Sequence, residues 1–117
     1  MDAVIVDGNN VPLHGSLNDM FTHIMADELI FKNFNACGIT DISKAFAYSK
    51  FKRIDFTEFK TECIQNIDGA FLNCDKLEKI DLSMLKINKL ESMTNVFTQC
   101  RKLEEIKLPR IEIDNRA

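Results

Sequence analysis

Apolar side chains along this chain fall into columns with one long period, rather than into a continuous helical or strand pattern. The motif apolar-x-apolar occurs five times, at Val4/Val6, Leu29/Phe31, Ile54/Phe56, Ile80/Leu82 and Ile106/Leu108. Successive copies are offset by 25, 25, 26 and 26 residues. A second column is Phe21, Phe46, Phe71 and Phe97, and four residues before it stand Leu17, Ile42, Ile67 and Met93. A fourth column holds Phe34, Phe59, Leu85 and Ile111, and a fifth Ile39, Ile64 and Leu90, with His14 in the first copy. A fixed period of roughly 20–50 residues is the mark of a repeat architecture.

The change from 25 to 26 residues can be located. Each apolar-x-apolar motif begins 17 residues before its Phe, but the next motif follows after 8, 8, 9 and 9 residues. The later turns therefore gain their residue in the loop after Phe71 and Phe97. A polar column, Ser16, Asp41, Asn66 and Ser92, directly precedes the Leu17 column. These residue types cap helix N-termini by accepting free N–H groups. Pairs such as Ile42/Phe46 then lie at i and i+4 on one helical face. The pattern predicts strand, bend, capped two-turn helix, loop and strand in each unit. So short a helix is stable only when packed.

One unit of about 25 residues cannot bury both its strand side chains and its other apolar face, but stacked units can. The chain is expected to form one domain over residues 1–117, with four full turns and a final strand. The stretch Ile67-Asp-Gly-Ala-Phe-Leu-Asn-Cys-Asp-Lys-Leu-Glu-Lys-Ile-Asp-Leu-Ser83 resembles the BspA-type leucine-rich repeat of bacterial surface proteins. Met93, Phe97, Cys100, Leu103, Ile106 and Leu108 repeat it one turn later. In the first two turns, His23 and Tyr48 stand where the pattern has Cys, and Ala26 and Phe51 where it has Leu. The resemblance implies an α/β fold: a short right-handed leucine-rich-repeat solenoid with five parallel strands and short helices on the opposite side. It also implies binding to proteins or host surfaces, without enzymatic activity.

Composition narrows the class. Apolar residues make up 45% of the 117 and charged residues 28%, which suits a soluble globular chain. The net charge of −3 argues against a general nucleic-acid binder. The run Lys50, Lys52, Arg53 is short and reads as a solvated edge. No apolar run approaches the ~20 residues of a membrane span, and Met1–Val11 lacks the features of a secretory signal. A cytoplasmic location is the expectation, or an extracellular one if the chain is a fragment of a surface protein.

Candidate chemistry is sparse. Cys37, Cys63, Cys74 and Cys100 form no C-x-x-C pair, and zinc has weak support. Cys74 and Cys100, six residues before successive strands, would lie ~5 Å apart, within disulfide reach, but reduced packing thiols are expected. His14 is expected to cap an apolar column, and His23 to pack in a column with Tyr48, Cys74 and Cys100. Asp7-Gly-Asn-Asn is a turn without the spaced carboxylates of a calcium loop. No glycine-rich phosphate loop or nucleophile–base pair is visible, so no enzyme, metal or cofactor is expected.

Strand alternation names the outward residues. They are Ala3, Ile5 and Asp7; Glu28, Ile30 and Lys32; Arg53, Asp55 and Thr57; Lys79, Asp81 and Ser83; and Glu105, Lys107 and Pro109. The expected function is binding of another protein through this face and the N-terminal edge, by Ile5, Ile30, Arg53, Asp55, Lys79 and Asp81. A homodimer through the N-terminal strand edge is a further expectation. The alternatives are an inhibitor or immunity-type protein that blocks an enzyme, a fragment or relative of a bacterial surface adhesin, and an acidic mimic of nucleic acid. The interleaved lysines weigh against the last.

Overall fold

The columns become the rungs of a β-solenoid. The computed structural model describes residues 2–109. Nine short strands follow in order: β1 (Ala3–Asp7), β2 (His14–Ser16), β3 (Glu28–Lys32), β4 (Phe34–Ala36), β5 (Gly38–Asp41), β6 (Arg53–Asp55), β7 (Phe59–Thr61), β8 (Lys79–Asp81) and β9 (Glu105–Lys107). The five apolar-x-apolar motifs coincide with β1, β3, β6, β8 and β9. Their pairing is parallel, with Val4 beside Leu29, Leu29 beside Ile54, and Ile80 beside Ile106. The column register is thus the hydrogen-bonding register. Ile111, the last member of the Phe34 column, lies outside the described residues.

Two further parallel ladders were not foreseen as strands. β4 pairs with β7, placing Phe34 beside Phe59, and β2 pairs with β5. Their apolar columns were visible, but three-residue strands give too little alternation to identify. His14 is displaced from its expected place: it pairs with Gly38, and Gly15 takes the position beside Ile39. A Cβ on Gly38 would lie 2.9 Å from His14 Cβ and 2.7 Å from Leu13 O, so this approach requires glycine. His14 itself is exposed.

The expected short helices are not formed; among the described residues there is no helix. Residues 17–24, 42–49, 67–74 and 93–100 instead make paired tight turns. Asp19, Lys44, Gly69 and Asn95 share positive φ in one column, and His23, Tyr48, Asn73 and Gln99 in another. Within a turn, the Ala45 N–H donates to Ile42 O at 3.1 Å and the Ala70 N–H to Ile67 O at 3.0 Å. Alternate N–H groups reach the next coil: Phe21 to Ala45 O (2.8 Å), Phe46 to Ala70 O (3.0 Å) and Phe71 to Val96 O (3.0 Å). A helix would turn these donors back into its own axis and leave the coils unlinked. Three of the four polar-column residues cap in turn form: Ser16 Oγ, Asp41 Oδ1 and Asn66 Oδ1 each accept the N–H two residues on, at 3.0, 2.8 and 2.8 Å, whereas Ser92 donates to Asp68, which takes the Thr94 N–H in its place.

The core is aromatic. Phe21, Phe46, Phe71 and Phe97 stack with centroids 5.6, 5.2 and 5.7 Å apart and planes within 10°. Phe31 stacks on Phe56, and Phe34 on Phe59 at 4.9 Å. Edge-on contacts such as Phe31–Phe59 (4.8 Å) and Phe46–Phe56 (5.5 Å) join these stacks. Phe46 and Phe71 are 0% and 2% exposed. Phe71→Ala is expected to cost about 3–5 kcal/mol in denaturant unfolding; a loss under about 1 kcal/mol would contradict the stacking.

The turns generate a prediction opposite in sign to that of a helix. Lys44 sits at φ 54° in the column where Gly69 sits at φ 61°. The left-handed conformation costs an ordinary residue about 1–2 kcal/mol. Lys44→Gly is therefore expected to raise stability by about 1 kcal/mol, whereas glycine inside a helix would lower it by a similar amount. Thermal melts of the two proteins decide between them.

Candidate functional site

The outer strand face is arranged in three columns. Inner and outer residues alternate as expected in the middle coils, where Leu29, Phe31, Ile54 and Ile80 are buried and Lys32, Lys79 and Asp81 exposed; after β9 the order reverses, with Leu108 59% exposed and Pro109, expected outward, buried. The middle outward column runs Ile5, Ile30 and Asp55 across one three-stranded sheet, then Asp81 and Lys107 across a two-stranded one. Ile5 and Ile30 stand side by side, Ile5 61% exposed and Ile30 half-buried. The flanking columns are tied by ion pairs between coils: Arg53 Nε to Glu28 at 3.9 Å, Lys79 to Glu105 at 3.9 Å, and Lys32 to Glu58 at 3.4 Å. Exposed pairs of this kind add at most about 1 kcal/mol each and mainly fix side-chain positions.

The parallel ladder breaks once on this face. β6 and β8 are not hydrogen-bonded as strands, although the Glu78 N–H still donates to Lys52 O at 3.1 Å. A cleft of about 330 Å³ opens along the break. Arg53, Asp55, Lys79 and Asp81, four of the six residues expected to bind, line it together with Met84 and Lys107. Ile5 and Ile30 lie on the β1–β3 side of the same face, outside the cleft lining. Met84, exposed in the loop after β8, escaped the sequence reading because it is not a strand residue.

The two aspartates have structural duties. Asp55 Oδ1 accepts the Thr57 N–H at 2.8 Å, and Asp81 Oδ1 accepts the Ser83 N–H at 2.9 Å. The Thr57 hydroxyl and N–H hold Asp55 below the usual carboxylate range, and the Ser83 hydroxyl and N–H do the same for Asp81. Both are therefore ionised at neutral pH, and the cleft carries a column of carboxylates beside a column that holds Arg53 and Lys79. The arrangement can hold a mixed-charge surface; among the described residues no group of three or more His, Cys, Asp or Glu could hold a metal ion. Nor is any helix among them long and apolar enough to cross a membrane.

The cysteine column needs one correction. Cys74 Sγ donates to Phe46 O at 3.1 Å and Cys100 Sγ to Phe71 O at 3.0 Å. Ser49, not Tyr48, is the equivalent in the second coil: its hydroxyl donates to Phe21 O and accepts the Ile24 N–H, both at 3.0 Å. Counting back from the strand misaligned the column, because the extra residue lies in the turn between Cys74 and Leu77, where the Leu77 N–H donates to Cys74 O. Counting forward from the Phe column recovers it. His23 and Tyr48 belong instead with Asn73 and Gln99, where their exposed rings stack at 5.5 Å.

All four cysteines are free. Burial pushes the Cys74 thiol up to about 12, and burial raises that of Cys100 as well. Both stay protonated and serve as donors to the coil below. Reductant is expected to leave the melting temperature unchanged, and Cys74 to be alkylated more slowly than the part-exposed Cys37 and Cys63 in native protein at pH 8. Loss of stability on reduction, or two thiols missing from a denatured titration, would reveal a bridge.

No curated protein and no solved structure matches the chain. Residues 15–112 match the family described as "Mycoplasma protein of unknown function, DUF285", and the span runs from the first coil past the last strand. A repeat frame continuous across the span, with the polar column and Phe stack inside it, is what that match covers, and the chain belongs to this family.

Proposed function

We propose that the protein is a non-enzymatic binding module that holds another protein on its outer strand face. The observation that carries this reading is the cleft at the β6–β8 break, with Arg53, Asp55, Lys79 and Asp81 in its walls. Charges of both signs, spaced by the rigid coils, suit a partner surface of complementary polarity more than a small apolar ligand. Met84 supplies a flexible apolar contact at the rim, and Ile5 and Ile30 extend the face as an apolar patch. The likeness to the BspA-type repeat points in the same direction. Asp55 and Asp81 are engaged in turns and Arg53 and Lys79 in ion pairs, which supports binding rather than general-base catalysis.

The test uses Asp55→Asn with Asp81→Asn. Asparagine caps a turn nearly as well as aspartate, so the fold is retained while two charges are removed. A partner captured by cross-linking in the source cell is expected to bind the double variant about ten-fold more weakly. Thr98→Lys, on the turn side of the solenoid, is expected to leave binding unchanged. Equal binding by the Asn variant would place the partner elsewhere.

A further inference from the structure

Charge on the outer face follows the ladder. Where strands are bonded, outward neighbours are opposite in sign or include an uncharged residue. Asp7 stands beside Lys32, Glu28 beside Arg53, Ile30 beside Asp55, Lys79 beside Glu105 and Asp81 beside Lys107. Across the β6–β8 break the same columns set Arg53 opposite Lys79 and Asp55 opposite Asp81. Both of these rungs are like-charged. The last bond before the break, from the Glu78 N–H to Lys52 O, joins residues of opposite sign. Like charges directly opposite repel, so nothing on the two walls draws them together.

The first outward column reads Glu28, Arg53, Lys79, Glu105, and the second Ile30, Asp55, Asp81, Lys107. The middle of the first is positive twice over and the middle of the second negative twice over. Ion pairing preserves this pattern, because each cation's glutamate stands away from the break: Glu28 on β3 for Arg53 and Glu105 on β9 for Lys79, both at 3.9 Å. The Arg53 and Lys79 side chains remain 43% and 66% exposed. The lysines whose fields reach Asp55 and Asp81 are Lys32 on β3 and Lys107 on β9, again on the outer sides. A uniformly basic or uniformly acidic partner therefore meets repulsion at one of the two rungs. Two opposite charges, one over each rung, meet attraction at both. The rungs lie two residues apart along the strands, roughly 6.5 Å. Side chains i and i+2 of an extended segment leave one face at that same spacing.

We propose that the cleft receives one acidic and one basic side chain, two residues apart on an extended segment of the partner protein that lies along the break. The carboxylate sits between Arg53 and Lys79, and the ammonium or guanidinium between Asp55 and Asp81. Glu-x-Lys running with the strands and Lys-x-Glu running against them meet the same groups. This rests on the binding reading above and names the partner chemistry within it.

The probe is a blocked pentapeptide, acetyl-Thr-Glu-Thr-Lys-Thr-amide, titrated into the isotope-labelled full chain. The Thr57 and Ser83 N–H groups are bonded to the two carboxylates and report occupancy through their amide shifts. Saturable shifts at both are expected. The isomer acetyl-Thr-Glu-Lys-Thr-Thr-amide sends its charges to opposite faces, and is expected to bind about three-fold more weakly, the worth of one exposed ion pair. Pentapeptides with two Glu or two Lys in place of the pair are expected to be weakened similarly. Lys79→Gln, at an exposed position, is expected to retain the melting temperature, to weaken the Glu-x-Lys probe and to strengthen the peptide with two Lys. The proposal is overturned by no saturable shift at Thr57 and Ser83, by equal binding of the isomer, by tighter binding of a like-charged peptide, or by binding that Lys79→Gln leaves unchanged. In each of these cases a captured partner that still loses affinity for the Asp55→Asn, Asp81→Asn variant keeps the face as the binding site, whereas a partner indifferent to that variant overturns the binding reading itself.

Discussion

No coil of this protein can bury its own apolar face; only the next coil can. Every other feature follows from that constraint. Residues 28–52 bring Leu29, Phe31, Phe34, Ile39, Ile42 and Phe46 to the interior, where equivalent residues of the next coil stack on them, Phe56 on Phe31 and Phe59 on Phe34. Burying a Phe or Leu is worth roughly 1.5–3 kcal/mol, but only when the neighbour is in register. The Phe46 ring sits between those of Phe21 and Phe71, so a slip of one residue would disrupt both stacks. Middle coils are consequently buried, while this column surfaces at its C-terminal end: Met93 is 57% exposed, although Leu17 and Ile42 in its column are buried. Stability is nearest-neighbour in character.

The same constraint explains why turns displaced helices. A two-turn helix satisfies its donors internally and offers little to a neighbour. Paired tight turns place alternate N–H groups along the stacking axis, where Leu17, Phe21 and His23 donate to the second coil and Ile42, Lys44, Phe46 and Tyr48 to the third. The local cost is positive φ at Lys44, Tyr48 and Gln99, residue types that seldom adopt it. The inter-coil ladder offsets this strain at each rung, so the strain is structural and repeats with the period, rather than marking a site.

Much of this was legible because a repeat reports its own register. Val4, Leu29 and Ile54, aligned by spacing alone, are the Cα partners found in the sheet. The polar column Ser16, Asp41, Asn66 and Ser92 was recognised as capping, yet capping residues serve turns and helices alike, and the i, i+4 spacing of Ile42 and Phe46 fits both. The deciding signal was the column Asp19, Lys44, Gly69, Asn95, whose Asp, Gly and Asn favour left-handed backbone. Lys44 within it obscured the pattern. The displacement of His14 was illegible for a different reason: the irregularity between Gly15 and Ser16 is set by how closely Gly38 approaches, which no column records.

The cleft was half legible. Its four charged residues follow from strand alternation, but the gap between β6 and β8 does not. Its origin is the change of period. β6 is reached from Ser49 by way of Phe51, whereas β8 is reached from Cys74 by way of a longer turn to Leu77. Stacked coils of unequal length cannot keep every ladder; the interior apolar columns tolerate a mismatch least, so it falls on the outer face. Ile54 and Ile80 stay buried in their column, while the strands carrying them lose their ladder but keep the Glu78 N–H to Lys52 O bond. β8 and β9, both preceded by the longer turn, pair again. An irregularity of one residue in a repeat can thus open a surface recess without disturbing the core beneath it. In this chain it does so between the aspartates whose turns define the face.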